Sequence, residues 1–172
     1  MGPTKMYVDS DFAADVDTRK SRAGYLIYLN GNLMSYRNCL QPGKVDIATG
    51  TCEDEYYKTL SLTIKELTWI RMLLDTMNIN IATPMMIWED NQAAIKLATD
   101  SSAAKRTKHI AIRHHFIREF YDAGLIDIKY IPTRSQTADI LTKPLGTQLF
   151  TLFRDNIISD RNLLSRQYKT CI

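Results

Sequence analysis

The chain has 172 residues, 45% of them hydrophobic, which is enough for one sizeable core in a single compact domain. With only 7 Gly and 5 Pro, the composition argues against a fibrous or disordered protein. A formal net charge of +3 is too small to indicate a partner by itself, and no apolar run approaches the ~18 to 20 residues of a membrane helix. We therefore expect no membrane association.

Three cysteines lie far apart, with no C-x-x-C pair and no histidine at zinc-ligand spacing: Cys39, Cys52 and Cys171. Reduced thiols in an intracellular compartment are the expected state. The first residues also lack the charged and then apolar pattern of a signal peptide, so we expect a protein that is not secreted.

The beginning of the chain predicts a strand and a hairpin. In the segment Lys5 to Phe12 the apolar residues 6–8 precede the carboxylates of Asp9 and Asp11, as expected of a strand with acids at its end. Gly24 to Leu29 and Leu33 to Tyr36 flank the pair Asn30-Gly31. That pair is a signal for a tight turn whose central residues need positive φ, so a hairpin is predicted.

A long helix follows the hairpin. Its apolar residues recur three and four positions apart, the spacing of one buried helical face: Leu60, Ile64, Leu67, Ile70, Leu73, Leu74 and Met77. Thr51 and Asp54 fit a capping box at its start, which places Glu55 in the first turn.

The middle of the chain predicts a buried strand and two helices. Pro84 to Trp88 is a short apolar run, and Asp90 follows at its carboxyl end. A helix from about Gln92 to Ala98 comes next. Residues 105–123 then form a basic helix that Gly124 ends.

The last part predicts one more strand and two helices. Ile126 to Ile131 alternates like a strand. Thr133 to Leu141 is predicted as a capped helix with Asp139 at its middle, and an amphipathic helix begins at Thr147. Beyond about Asp160 the Arg-rich end is expected to be disordered.

The order β-β-β-α-β-α-α-β-α predicts an α/β fold in which helices flank a mixed five-stranded sheet. Residues 1–145 are expected to form this domain. Residues 146–172 would add a C-terminal helix and a tail that pack on it or extend from it.

Four carboxylates from distant parts of the sequence can converge in this arrangement: Asp9, Glu55, Asp90 and Asp139. Without a cation they would repel one another, and all-oxygen ligation favours Mg²⁺. Two such ions roughly 3.5–4 Å apart can drive phosphodiester cleavage. Taken singly, each acid is explained more simply as a solvated residue or a helix cap, because other acids stand nearby: Asp11, Glu53 and Glu89.

Ordered motifs remove much of that ambiguity. They include Tyr7 to Ala13, Glu66 to Arg71, Asp90 to Ile95, Arg106 to Ile110 with Arg113 to Phe116, and Ala138 to Leu145. Together they resemble the ribonuclease H domain that ends the polyprotein of copia-type LTR retrotransposons. The resemblance runs from about Tyr7 to Gly146, about four-fifths of the chain.

The resemblance implies a ribonuclease H-like fold and assigns roles to the four acids. Asp9 would bridge two Mg²⁺ ions, for which Mn²⁺ is expected to substitute. Glu55 and Asp90 would complete the ion beside the leaving group, and Asp139 would hold the ion that activates water. Glu55 is also expected to touch a ribose 2′-hydroxyl.

The implied reaction is endonucleolytic hydrolysis of the RNA strand of an RNA–DNA hybrid, giving 5′-phosphate and 3′-hydroxyl ends. The implied partners are the hybrid and the reverse transcriptase domain of the same polyprotein. The expected location is a cytoplasmic retrotransposon particle, with the nucleus as the alternative. The oligomeric state is left open.

The sequence departs from the family pattern at a few positions. Phe12 replaces a usual Trp, Ala14 a usual Gly and Ala111 a usual Asp. Residues 49–52 replace a Ser/Thr-rich run, so the choice of Glu55 over Glu53 stays open. The loop at 133–136 lacks the histidine that cellular ribonucleases H carry there, which implies slower turnover or another group in its place.

A basic segment from Lys105 to Arg118 contains five Lys or Arg residues and all three histidines, without an acid. One interpretation is a solvated helix face with His109 packed against the core. The other, which we favour for the basic residues, is sequence-independent contact with phosphates through Lys105, Arg106, Lys108 and Arg113. The resemblance adds His109, Asn91 and Gln92 to the expected nucleic-acid contacts.

Two other functions compete with an active nuclease. A domesticated or decayed copy would bind nucleic acid or protein without cutting, which the altered stretch before Glu55 and the missing loop histidine favour. An integrase or transposase of similar fold is the weaker alternative, because such enzymes use three acids and the ordered motifs match the nuclease.

Overall fold

The structure is a computed structural model that describes residues 3–13, 15, 17–41, 52–100 and 108–158. For residues 52–55, 97 and 108–111 it describes the backbone alone. The strands are β1 (Thr4–Asp11), β2 (Arg22–Leu29), β3 (Asn32–Leu40), β4 (Met85–Glu89) and β5 (Ile126–Tyr130). The helices are α1 (Cys52–Thr76), α2 (Gln92–Thr99), α3 (Lys108–Asp122), α4 (Asp139–Thr142) and α5 (Thr147–Ile158), and a 3-10 turn spans Thr133–Ser135.

The strands form one mixed sheet in the order β3-β2-β1-β4-β5, which confirms the predicted fold class. β1, β2 and β3 pair antiparallel, whereas β4 is parallel to both β1 and β5. In the register Tyr7 lies opposite Trp88. The carboxyl ends of β1 and β4 are therefore neighbours at the same edge of the sheet, and this brings Asp9 and Asp90 together.

The hairpin has the predicted turn. Asn30 (φ 53°) and Gly31 (φ 84°) both adopt positive φ between β2 and β3. Gly124 also has a positive φ of 66° where α3 ends, in agreement with its predicted role as a stop.

Helix α1 packs its apolar face on β1 and β2, and the predicted face is mostly correct. The buried members are Leu60, Ile64, Leu67, Ile70 and Leu74. Leu73 and Met77 are 45% and 59% exposed, so their assignment to that face was wrong. Leu73 is rotated by one residue, about 100°, from buried Leu74, and Met77 lies beyond the last residue of the helix.

Helix α4 covers the other face of the sheet at β2. Tyr25 and Ile27 belong to the core under α1, so Gly24 points the opposite way. A Cβ atom on Gly24 would lie 2.7 Å from Cγ2 of Thr142 and 3.0 Å from Cβ of Leu141. Only glycine at this position allows α4 to approach so closely, directly beside Asp9, which pairs with Gly24 in the β1–β2 register.

The predicted helix from Thr133 to Leu141 was wrong. A 3-10 turn ends at Ser135, Gln136 is extended with ψ 92°, and α4 then begins at Asp139 itself. The break occurs because the Gln136 side chain bonds strand carbonyls, as described below, so the backbone turns there. Asp139 therefore lies in the first turn of a short helix, not in the middle of a longer one.

The helix predicted from Thr147 is confirmed as α5, which buries Phe153 and contacts α4. Within the described ranges, no helix combines the length and apolar character needed to cross a bilayer. The proposed capping residue Thr51 and the tail from Asp160 lie outside the described residues.

Candidate active site

Three of the four predicted acids meet at the carboxyl edge of the sheet. Asp9 lies two residues before the end of β1, Asp90 follows β4, and Asp139 begins α4. One carboxylate oxygen from each lies within 4.8 Å of the others. Asp9 and Asp139 are buried and Asp90 is half-buried, so solvent reaches the cluster on the side of Asp90.

Both carboxylate oxygens of Asp9 are hydrogen-bonded. The Tyr56 hydroxyl donates to Oδ1 over 3.3 Å, and the Thr142 hydroxyl donates to Oδ2. The Lys143 ammonium also donates to Oδ1, over 3.1 Å. Donors from α1 and from the end of α4 thus hold Asp9, which has no exposed surface.

Lys143 joins two of the acids. Its Nζ lies 3.1 Å from Oδ1 of Asp9 and 3.0 Å from Oδ1 of Asp139. Burial alone would lower the pKa of Lys143, but the two carboxylates raise it above its ordinary value. Lys143 is therefore a positively charged member of the cluster, and the sequence analysis gave it no role.

The surroundings of Asp139 raise its pKa. Burial, and after it the negative charge of Asp9, raises the pKa of Asp139 to about 7, despite the hydrogen bond from Lys143. The two buried carboxylates of Asp9 and Asp139 together carry more negative charge than the ammonium of Lys143 can offset. The site consequently favours the arrival of a further cation.

Asp90 has one oxygen free for such a cation. The Thr133 hydroxyl donates to Oδ2 over 2.7 Å. Oδ1 is buried, and none of the described residues donates a hydrogen bond to it. A buried, unbonded carboxylate oxygen within 4.8 Å of two other carboxylates is a fit for a divalent ion, and a donor set made of oxygen alone suits Mg²⁺ or Mn²⁺.

Gln136 ties the two acid-bearing strands together. Its side chain is completely buried, and its Nε2 donates to the carbonyl of Val8 over 2.9 Å and to that of Trp88 over 3.3 Å. These carbonyls belong to β1 and β4, one residue before Asp9 and two before Asp90. One amide thus sets the spacing of two predicted metal ligands.

Glu89 holds the backbone at the end of β4. Its Oε1 accepts the N–H groups of Asp90 over 3.1 Å and of Asn91 over 3.0 Å. Burial raises the pKa of Glu89 well above its ordinary value. The two backbone bonds give this acid a structural role beside the three acids of the cluster.

Glu55 lies in the first turn of α1, as predicted, but its side chain is outside the described part of the structure. The next residue, Tyr56, brings that turn within hydrogen-bond distance of Asp9. The assignment of Glu55 as the fourth ligand, and the choice between it and Glu53, stay predictions.

The structure describes some of the residues predicted to contact nucleic acid in full, some by their backbone alone and some not at all. Lys105 and Arg106 lie outside the described residues, and for Lys108 and His109 only the backbone in the first turn of α3 is described. Arg113 is half-buried on α3. His114, not assigned a role from the sequence, is buried at 4% exposure.

Asn91 and Gln92 stand next to the acids. The Oδ1 of Asn91 accepts the N–H of Ala94 over 3.1 Å, so that oxygen caps α2. Gln92 is exposed and lines an open groove of about 630 Å³ between α2 and Tyr130. Its position is compatible with the predicted contact, whereas Asn91 already has a structural role.

Sequence reasoning missed the residues that hold the acids in place: Tyr56, Glu89, Thr133, Gln136, Thr142 and Lys143. One signal was present, because Lys143 follows Asp139 by four residues, a spacing that places two side chains on one helical face. Gln136 offered no such signal, since its partners are backbone carbonyls more than forty residues away in sequence.

The chain has known relatives over most of its length. No protein-family model matches the chain. It is 35% identical over 151 residues to the retrovirus-related Pol polyprotein from transposon RE1 of Arabidopsis thaliana, an alignment that covers 88% of this chain and 10% of that protein. The identity is also 35% over 151 residues to the Pol polyprotein from transposon TNT 1-94 of Nicotiana tabacum, covering 88% and 11%. The chain thus spans about a tenth of the length of these relatives.

Among solved structures, the fold is similar to that of LC11-RNase H1 in complex with an RNA/DNA hybrid. The TM-score is 0.57 at 15% sequence identity, and the match covers 81% of this chain and 93% of that one. At this identity the likeness shows the fold alone. The chain is therefore homologous to one segment of the Pol polyproteins of copia-type transposons, and the chain itself has the ribonuclease H fold.

Proposed function

We propose that the chain is a divalent-metal-dependent ribonuclease H, which hydrolyses the RNA strand of RNA–DNA hybrids. The observation that carries this proposal is the convergence of Asp9, Asp90 and Asp139 within 4.8 Å at the carboxyl edge of the sheet. The homology to transposon Pol polyproteins and the ribonuclease H fold support the same activity.

Asp9, Asp90 and Asp139 would hold two Mg²⁺ ions, with Glu55 as the proposed fourth ligand. When bound, such ions supply Lewis acidity and an activated water for phosphodiester hydrolysis. The protein's part is to fix the carboxylates beforehand. Thr133 orients one oxygen of Asp90, leaving the other free, and Thr142 and Tyr56 orient Asp9.

The substrate is proposed to be a hybrid duplex, bound largely through its phosphates. LC11-RNase H1 was solved in complex with an RNA/DNA hybrid, and the fold is shared. In this chain the basic start of α3 and exposed Gln92 are the proposed contacts. Phosphate contacts carry no sequence information, which suits a nuclease that must cut hybrids of any sequence.

The proposed partner within a longer protein is a reverse transcriptase, because the relatives are retrovirus-related Pol polyproteins about ten times longer than the matched segment. The proposed location is accordingly intracellular, in a retrotransposon particle.

The test is cleavage of a hybrid whose RNA strand is end-labelled, with single-stranded RNA and duplex DNA as comparison substrates. We expect Mg²⁺-dependent cutting of the RNA in the hybrid alone. Asp90→Asn should lose more than about a hundredfold in rate, since even outer partners of metal ligands are worth 10–100-fold. Asp75→Asn, which changes an exposed acid on α1, is the matched control and should cut like the wild type.

Binding of the hybrid without cleavage in either Mg²⁺ or Mn²⁺ would contradict the proposal. A binding module would then be the better account of the chain.

A further inference from the structure

The ammonium group of Lys143 lies between two buried carboxylates of the acidic cluster. It is 3.1 Å from Oδ1 of Asp9 and 3.0 Å from Oδ1 of Asp139. The carboxylates of Asp9 and Asp139 also belong to the three-acid group that could hold a metal ion. One cation of the protein itself thus already contacts two of the three acids.

This contact offsets charge that burial would otherwise make unfavourable. The side chains of Asp9 and Asp139 are 0% and 3% exposed, so water screens their mutual repulsion poorly. A charged carboxylate with little access to water needs a nearby cation or hydrogen-bond donors. Lys143 supplies both, since its ammonium carries a charge and several N–H donors.

The side-chain ammonium of Lys143 is held less firmly than the main chain of the same residue. The N–H of Lys143 donates to the Asp139 carbonyl over 2.9 Å, which fixes the main chain at the end of α4. The side chain is 28% exposed, in contrast to the acids that it contacts. A lysine stem with four rotatable carbons can therefore swing its ammonium into solvent without moving α4.

A divalent ion bound to Asp9 and Asp139 would lie within a few ångströms of this ammonium. Two cations a few ångströms apart repel each other strongly in a site with little water. Binding of a metal ion to Asp9 and Asp139 therefore competes with the ammonium. Asp90, in contrast, already has a buried oxygen without a donor among the described residues.

We propose that Lys143 is an internal counter-ion of the site, which stabilises the metal-free protein and competes with divalent cations for Asp9 and Asp139. This inference rests on the proposed metal-dependent function. It makes Lys143 a positioning residue that sets the metal concentration at which the site fills, and it implies that the ammonium moves when metal enters.

The test is calorimetric titration of Mn²⁺ into the wild type, Lys143→Met and Lys143→Arg. Methionine keeps much of the length but has no charge, so Lys143→Met should bind Mn²⁺ at least about tenfold more tightly, while Lys143→Arg should stay near the wild type. Lys129→Met removes an exposed lysine that pairs with Asp127 and is the matched control, with unchanged affinity. In EDTA, Lys143→Met should melt below the wild type, and Mn²⁺ should raise its melting temperature more.

Equal or weaker Mn²⁺ binding by Lys143→Met, with normal binding by the wild type, would overturn this inference and leave the proposed function standing. Absence of Mn²⁺ binding to every variant would overturn both.

A second measurement needs no destabilising variant. In wild-type protein with ¹³Cε-labelled lysine, saturating Mg²⁺ should shift the Lys143 signal, which the Lys143→Arg variant identifies by its absence. If the Lys143 ¹³Cε signal did not shift in Mg²⁺-bound protein, the inference that metal displaces the ammonium would be wrong.

Discussion

Replacing Gln136 by leucine removes the amide that joins β1 to β4 while keeping much of the side-chain volume. Gln136 is completely buried, and its Nε2 donates to two carbonyls, those of Val8 at 2.9 Å and Trp88 at 3.3 Å. A buried polar group left without its partner costs about 1–3 kcal/mol. With the second bond longer and weaker, we expect the free energy of unfolding to fall by about 2–4 kcal/mol.

In a domain of this size that loss corresponds to a melting temperature lower by roughly 5–15 °C. Because the two carbonyls immediately precede the acid-bearing strand ends, Gln136→Leu should also weaken Mn²⁺ binding. Denaturant unfolding and Mn²⁺ titration measure the two effects.

Gln148→Leu is the matched control for this change, since Gln148 is exposed on α5. Its stability should stay within about 0.5 kcal/mol of the wild type. If Gln136→Leu were equally neutral, the amide would not hold the strands, and the account of how Asp9 and Asp90 are spaced would be wrong.

Three further predictions concern Gly24, Glu89 and Lys108. Gly24→Ala should lower the free energy of unfolding by about 1–3 kcal/mol and weaken Mn²⁺ binding, because the new Cβ atom would press on Thr142. Gly146→Ala is the control, since a Cβ atom there would meet nothing within 4 Å, and it should change neither quantity in denaturant unfolding and Mn²⁺ titration. The pKa of Glu89 in the folded protein lies above its ordinary value of 4.5, so Glu89 contributes stability at low pH that is lost as the pH rises from about 4.5 towards the folded-state pKa. In denaturant unfolding the wild type should therefore lose stability relative to Glu89→Gln over that pH range. If the two proteins showed parallel stability curves against pH, the burial of Glu89 would not shift its pKa. Lys108→Ala should weaken hybrid binding and reduce the slope of log binding constant against log salt concentration by about one. Arg154→Ala on α5 is the control and should leave both unchanged. An unchanged slope for Lys108→Ala would show that Lys108 does not contact a phosphate.

The order of strands and helices was predictable because it depends on local patterns. The Asn30-Gly31 turn and the apolar spacing of α1 both act through residues close in sequence. The prediction failed where a long-range contact decided the local structure. Gln136 leaves the helical path because its amide bonds β1 and β4, and no pattern within the 133–141 segment indicates those partners.

The site was predictable to a similar extent. The motifs placed Asp9, Asp90 and Asp139, because strand order brings the ends of β1 and β4 together and α4 docks beside them. They did not predict the charge balance within the cluster. Lys143 contacts two acids where α4 packs closely on Gly24, and this close packing cannot be read from the spacing of residues in the sequence.

Whether the acidic cluster binds metal can be seen in crystals of the protein grown with Mn²⁺, in which anomalous scattering locates the ions. We expect anomalous peaks within bonding distance of the carboxylates of Asp9, Asp90 and Asp139, with Glu55 reaching the same ions and the Lys143 ammonium moved away. Peaks elsewhere on the surface, with these carboxylates bound to no metal at saturating Mn²⁺, would contradict it.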